Sequence, residues 1–193
     1  MGLTGQLERE PVRPSTEQLV LASAGSEPAT TLAASQRLAS LLALPLADWP
    51  PSGSATARLA ALGERPAPRL IPLLEDPGEW IAPDGRWADA LGAWRQPTLL
   101  LLEAAAVDGG RAAAYTALLL ECRVPLVGLV QWGGLWNPQV RRREGLAWLG
   151  ALGGPSPPAP GSIDEEQELA LVHSLRLRWG QLLSFPGPEG QGG

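Results

Sequence analysis

The chain has 193 residues, a formal charge of −5 and 45% hydrophobic against 18% charged residues, enough apolar material for one folded core without the basic balance of a nucleic-acid binder. All 15 basic residues are arginine, which excludes a P-loop lysine, a Schiff base and a lysine general base. One cysteine (Cys122) and one histidine (His173) exclude a Cys/His zinc site and an intrachain disulfide, and a lone thiol fits a reducing compartment.

Residues 1–17 are polar, contain Pro11 and Pro14, and are expected to form a disordered arm; no apolar stretch follows a basic start, so no signal peptide is expected. Residues 18–23 (QLVLAS) predict a buried strand ending at Ala24-Gly25. Residues 30–43 predict a helix, with Leu32, Leu38, Leu41 and Leu42 at helical spacing and Thr30 or Thr31 as its N-cap. Residues 45–53 break it, and 55–62 predict a second helix closed by Gly63. Residues 69–75 (RLIPLLE) predict a strand that Pro72 confines to an edge or a bulge. A loop over 76–86 and a short helix over 87–94 follow. Residues 98–103 (TLLLLE) are apolar throughout, as in a strand covered on both faces. Asp108-Gly109-Gly110 turns the chain into a helix over 111–122, and 125–131 (PLVGLVQ) predict the next buried strand.

This strand–helix–strand alternation predicts an α/β fold, a mostly parallel sheet with helices on both faces. Residues 146–149 (LAWL) predict a short last strand. Residues 153–162 read as a Pro/Gly linker and 163–184 as a helix. That helix has Asp164, Glu165 and Glu166 at its start, Arg176 and Arg178 later, and an apolar stripe of Leu169, Val172, Leu175 and Leu183. It is expected to dock on the 18–152 domain yet be dispensable for the sheet. Residues 185–193 are expected to be a disordered tail. No apolar run reaches the length of a membrane span, so a cytoplasmic protein with neither membrane nor nucleic-acid partners is expected.

Three stretches carry a family likeness. In LLEDPGEWIAP (73–83), Glu75, Gly78 and Pro83 match a strand-end motif V-E-G-A-G-G followed by an apolar step and a proline, with Glu79 in place of the second glycine. PTLLLLEAAAVDGGRAAAYTALLLECRVPLVGLVQWGG (97–134) gives a strand, glycine turn, helix and strand, and GLAWLGAL (145–152) matches a P-V-L-G-x-I-P step. Over residues 70–152 the chain resembles the dethiobiotin synthetase family, within the P-loop group that includes MinD, ParA and the cobyrinate amidation enzymes. The resemblance implies a P-loop NTPase-like fold, a homodimer, and ATP with Mg²⁺ as cofactors. By it, Glu75 stands where a Mg²⁺ ligand would be and Gln131 where the family's adenine-reading asparagine ends its strand. The family's phosphate loop, G-x-x-x-x-x-G-K-[ST], has SAGSEPATT (23–31) as its counterpart. Gly25 and the Thr30-Thr31 pair remain, but the lysine is missing, Pro28 removes a donor and Glu27 repels phosphate. The family's K-P-x-x-S-G lysine is missing too, and 23–31 aligns equally well to that second strand.

For Glu75 the competing reading is an acid that closes the turn at 76–78. For 23–31 it is an ordinary strand-to-helix loop, and for Gln131 an amide that satisfies loop backbone. Trp132, Trp136 and Trp148, with Trp80, either stack a base or anchor a partner, or else pack at the core and rim. Arg141, Arg142 and Arg143 bind an anion or a partner's acidic patch, or form a solvated helix face. The strand ends should bring Glu27, Glu75, Glu79 and Glu103 together with only Arg111 and the Arg141–Arg143 run to offset them. His173 reads as structural or exposed and Cys122 as an inert thiol. The resulting expectation is a non-catalytic relative of dethiobiotin synthetase, with no cofactor, that binds an unknown protein partner. The alternatives are an ATP- and Mg²⁺-dependent ligase with an atypical phosphate site, and a scaffold that uses its Trp-lined strand ends as an interface.

Overall fold

The computed structural model describes residues 17–64, 67–81, 85–154, 159 and 161–184. The arm, apart from Glu17, the 185–193 tail and linker residues 155–158 and 160 lie outside the described residues, as does the side chain of Leu183. The strands are β1 (Gln18–Ser23), β2 (Arg69–Leu73), β3 (Trp80–Ile81), β4 (Gly85–Arg86), β5 (Thr98–Glu103), β6 (Leu126–Trp132) and β7 (Trp148–Leu152). The helices are α1 (Pro28–Leu42), α2 (Ala55–Gly63), α3 (Trp87–Ala93), α4 (Arg111–Glu121), α5 (Pro138–Arg143) and α6 (Ile163–Ser184). Five strands form one all-parallel sheet in the order β2-β1-β5-β6-β7, and β3 and β4 form a separate antiparallel pair. The fold is α/β, as the alternation predicts.

Both faces of the sheet are covered, which is why β1 and β5 read as unbroken apolar runs. Val20, Ala22, Ile71, Leu73, Leu100 and Leu102 pack with α2, α3 and α4. Leu19, Leu21, Leu70, Leu99 and Leu101 pack with α1 and α6 on the other face. Each such fully buried Val, Leu or Ile side chain contributes about 1.5–3 kcal/mol. On the first face, Gly92 of α3 lies against α4: a Cβ there would stand 1.7 Å from the Cys122 carbonyl oxygen. No larger residue fits.

Pro72 sits in β2 at the edge of the sheet, as expected. Beyond it, residues 45–47 run alongside: Leu70 N–H donates to Pro45 O (3.0 Å) and Ala47 N–H to Leu70 O (2.9 Å). Two residues along, Pro72 has no N–H to offer on that side, and its carbonyl accepts from Trp49 Nε1 at 2.8 Å.

Several boundaries differ from expectation. Helix α1 starts at Pro28, with Glu27 as N-cap, so Thr30 and Thr31 lie inside its first turn; a proline at the first helical position presets the backbone angle there. The 76–86 loop contains the β3–β4 pair. The last strand runs over Trp148–Leu152, because Ala151 and Leu152 are the residues that reach the core. On α6 the stripe is Leu171, Val172 and Leu175, with Trp179 and Leu182 packed beside it, while Leu169 is 61% exposed. At 3.6 residues per turn, Leu169 points about a third of a turn away from the centre of that stripe.

Helix α6 packs on β6, β7 and α1, and is fastened by Glu168, which is 1% exposed. Its Oε1 accepts from Arg37 Nε (3.2 Å) and from Gly153 N–H (3.1 Å), and its Oε2 accepts from Arg37 Nη2. The helix expected to be dispensable thus shares the second core with α1.

Candidate functional site

In a doubly wound sheet the chain leaves neighbouring strands in opposite directions at one point, and the loops there part to leave a crevice outside the carboxyl ends. Here β1 is followed by β2 on one side, while β5 leads to β6 and β7 on the other. A cleft of about 400 Å³ opens at that point, between Gly25 and Ser26 after β1 and Glu103, Ala105, Gly109 and Arg111 after β5.

Gly25 has a φ of +71°, and a Cβ there would stand 3.3 Å from Arg111 Nη1, so the guanidinium lies over the space that a side chain at residue 25 would fill. Arg111 opens α4. One turn later Tyr115 donates its hydroxyl to Asp76 Oδ2, and Asp76 Oδ1 accepts from Gly78 N–H at 2.7 Å. Burial, and then the Asp76 carboxylate, push the Tyr115 hydroxyl up to about 12, which keeps it a donor. The Arg111 guanidinium and the Glu103 carboxylate have no hydrogen-bond or ion-pair partner among the described residues, and the Ser26 hydroxyl is also free.

Of the expected site residues, Gly25 lines the cleft together with Glu103 and Arg111. The N–H groups of Thr30 and Thr31 are taken by the Glu27 carbonyl at 3.0 and 3.1 Å, and Thr31 is fully buried. Glu75 does not line the cleft: Arg58 Nη1 donates to its Oε1 at 2.9 Å, and the Arg58 guanidinium stacks on Trp49 and Trp87, 5.4 and 5.0 Å from the ring centres. Asp76, not Glu75, closes the turn at Gly78. No group of three or more His, Cys, Asp or Glu suited to a metal ion exists among the described residues. Gln131 is buried and donates through Nε2 to Gly133 O (2.9 Å) and Leu135 O (3.2 Å), while its Oε1 has no partner. Its amide nitrogen is therefore spent on its own loop.

The tryptophans do not form one patch. Trp132 packs against the α1/α6 core, whereas Trp136 meets Trp148 edge-on at 6.0 Å, and Trp148 packs on the other face of the sheet. The arginine run divides as well. Arg141 is 7% exposed, lies 5.3 Å from the Trp148 ring centre and pairs with Glu144 and with Asp108 at 3.5 Å. Arg142 and Arg143 are exposed. Arg141 is thus a clamp between α5 and β7 rather than part of a solvated face.

A second polar cluster lies behind the α3–α4 contact. Arg86 grips Asp89 through Nε (3.1 Å) and Nη2 (3.0 Å), and the Cys122 thiol donates to Asp89 Oδ1 at 3.3 Å. The Arg86 contact, foremost, holds the Asp89 carboxyl down at about 2, and burial followed by Asp89 pushes the Cys122 thiol up. A thiol so protonated is a weak nucleophile.

No protein-family model matches the chain, and no curated protein matches it. No helix among the described residues is long and apolar enough to cross a membrane.

Proposed function

We propose that this chain is a non-catalytic, cytoplasmic α/β binding protein of the dethiobiotin synthetase type, with a regulatory role and no nucleotide cofactor. One observation carries the reading: the start of α1 is unfit to cradle phosphates. Pro28 has no N–H, the Thr30 and Thr31 N–H groups are already bonded to Glu27 O, and the Glu27 side chain adds negative charge. A phosphate site at a helix start works through free N–H groups, and here Pro28 removes one of them while the Glu27 carboxylate stands at the same end. An ATP- and Mg²⁺-dependent ligase would also need a metal-binding carboxylate, and Glu75 is engaged by Arg58.

The partner surface of this reading is the loop after β6 and the start of α5, with a second copy as the partner that the resemblance implies. Leu135 is 96% exposed and Val140 41% exposed beside half-buried Trp136 and the exposed Arg142 and Arg143. Calorimetric titration with Mg·ATP tests the main reading. No binding heat and no turnover are expected. Micromolar binding with ATP hydrolysis that vanishes in Glu75→Ala would establish the ligase instead.

A further inference from the structure

The cleft between the β1 and β5 loops holds one cation and one anion that the fold does not use. Arg111 reaches across from α4 to lie over Gly25, yet its guanidinium meets no carboxylate among the described residues. Of the neighbouring carboxylates, Asp76 accepts from Tyr115 and Asp108 pairs with Arg141. An exposed arginine with no ion-pair partner among the described residues offers its fork to a planar anion, because that fork matches the two oxygens of a carboxylate. Ser26 adds a free hydroxyl on the same wall, and Glu103 presents a free carboxylate across from it. The lining itself carries one positive and one negative group, with the Asp76 carboxylate close behind on Tyr115. It therefore disfavours a multiply charged phosphate ester and suits a ligand that is an acid at one end and a donor at the other. At about 400 Å³, with Ala105 and Gly109 adding little bulk to its wall, the cleft has room for a small-molecule ligand.

We infer that this cleft binds a small organic acid, its carboxylate on Arg111 and Ser26 and its hydroxyl or amine on Glu103. The inference rests on the non-nucleotide reading above and names the ligand class of that protein.

The test is an ¹⁵N-NMR titration of the full chain with a panel of short-chain hydroxy acids and amino acids, with inorganic phosphate and Mg·ATP as separate arms. Panel members are expected to shift the Gly25, Ser26, Gly109 and Gly110 amides. Arg111→Gln should weaken that binding about tenfold or more, and Arg111→Lys by less, with the rest of the spectrum unchanged. Glu103→Gln should selectively weaken the amino acids, which present an ammonium. Silence from the whole panel, shifts that survive Arg111→Gln, or shifts with phosphate alone would each overturn the inference while leaving the non-nucleotide reading intact. Micromolar binding of Mg·ATP at these amides would overturn both.

Discussion

The α6 flank and the cleft at the end of β1 each bring an arginine and a glutamate into one neighbourhood, and they treat them in opposite ways. On the flank, Arg37 grips both oxygens of Glu168, a buried carboxylate that also takes the Gly153 N–H. Every charge there is answered, and the group ties a helix to a sheet. In the cleft, Arg111 and Glu103 face a common space without answering each other. Saturated charge fixes the flank in place; unsaturated charge at the carboxyl ends of parallel strands leaves the cleft receptive to something else. The contrast separates structural from functional arginines in a chain where residue type alone does not.

The largest effect should come from removing the flank altogether. A chain ending at Gly154 strips Leu171, Val172 and Leu175 from the second core, at about 1.5–3 kcal/mol each. That sum rivals a typical total stability of about 5–15 kcal/mol. Circular dichroism on heating should show no cooperative transition; a sharp one would return α6 to the dispensable role expected from its linker.

Next in size is Glu168→Ala, which leaves Arg37 without its acid and Gly153 N–H without its acceptor. Breaking such a pair costs about 3–5 kcal/mol when both partners are buried, and Arg37 keeps 26% of its side chain exposed, so about 3 kcal/mol is expected in urea unfolding. A loss below about 1 kcal/mol would erase the distinction between flank and cleft.

Asp89 supplies a smaller, pH-dependent increment. Its carboxyl lies below the ordinary value of 3.8, at about 2, because of Arg86, so its stabilisation is complete above about pH 4 and fades as the pH falls toward 2. Its side chain is 41% exposed, and solvent screening keeps the contribution under about 1 kcal/mol. Acid titrations of wild type and Asp89→Asn should converge over that interval, and parallel curves would show that the Arg86 contact does not persist in solution.

The smallest effect is expected in the cleft itself. Arg111→Gln removes no ion pair and should shift the unfolding free energy by less than about 0.5 kcal/mol. A larger loss would make Arg111 as structural as Arg37.

The sheet was legible because its signal is local. Continuous apolar runs place β1 and β5 at their observed bounds, and Pro72 marks the edge strand from its missing N–H alone. Features set by distant partners were hidden. Nothing within a few residues of Arg141 says that Trp148 and Asp108 will bury it. Glu75 sits at a strand end like a ligand, and only the arrival of Arg58 from α2 occupies it. Tyr115 and Asp76 lie 39 residues apart, with no pattern to link them. Leu169 and Leu171 are equally apolar, and the choice between them depended on which face of α6 meets the sheet. In the cleft, Gly25, Glu103 and Arg111 follow from the rule that parallel strands gather their following loops at one end. That Arg111 is free while Arg141 is not required the fold.

The strip at residues 45–49 has a consequence for how copies of this protein meet. An open strand edge is a template on which another chain can polymerise. On the outward side of β2, both groups of Leu70 are taken by residues 45 and 47, Pro72 has no hydrogen to give, and its oxygen is held by the Trp49 indole. The sheet cannot be extended there without first peeling that strip away. Two copies that associate must do so through helices, loops or the β7 border, and a fibril seeded along β2 is disfavoured from the start.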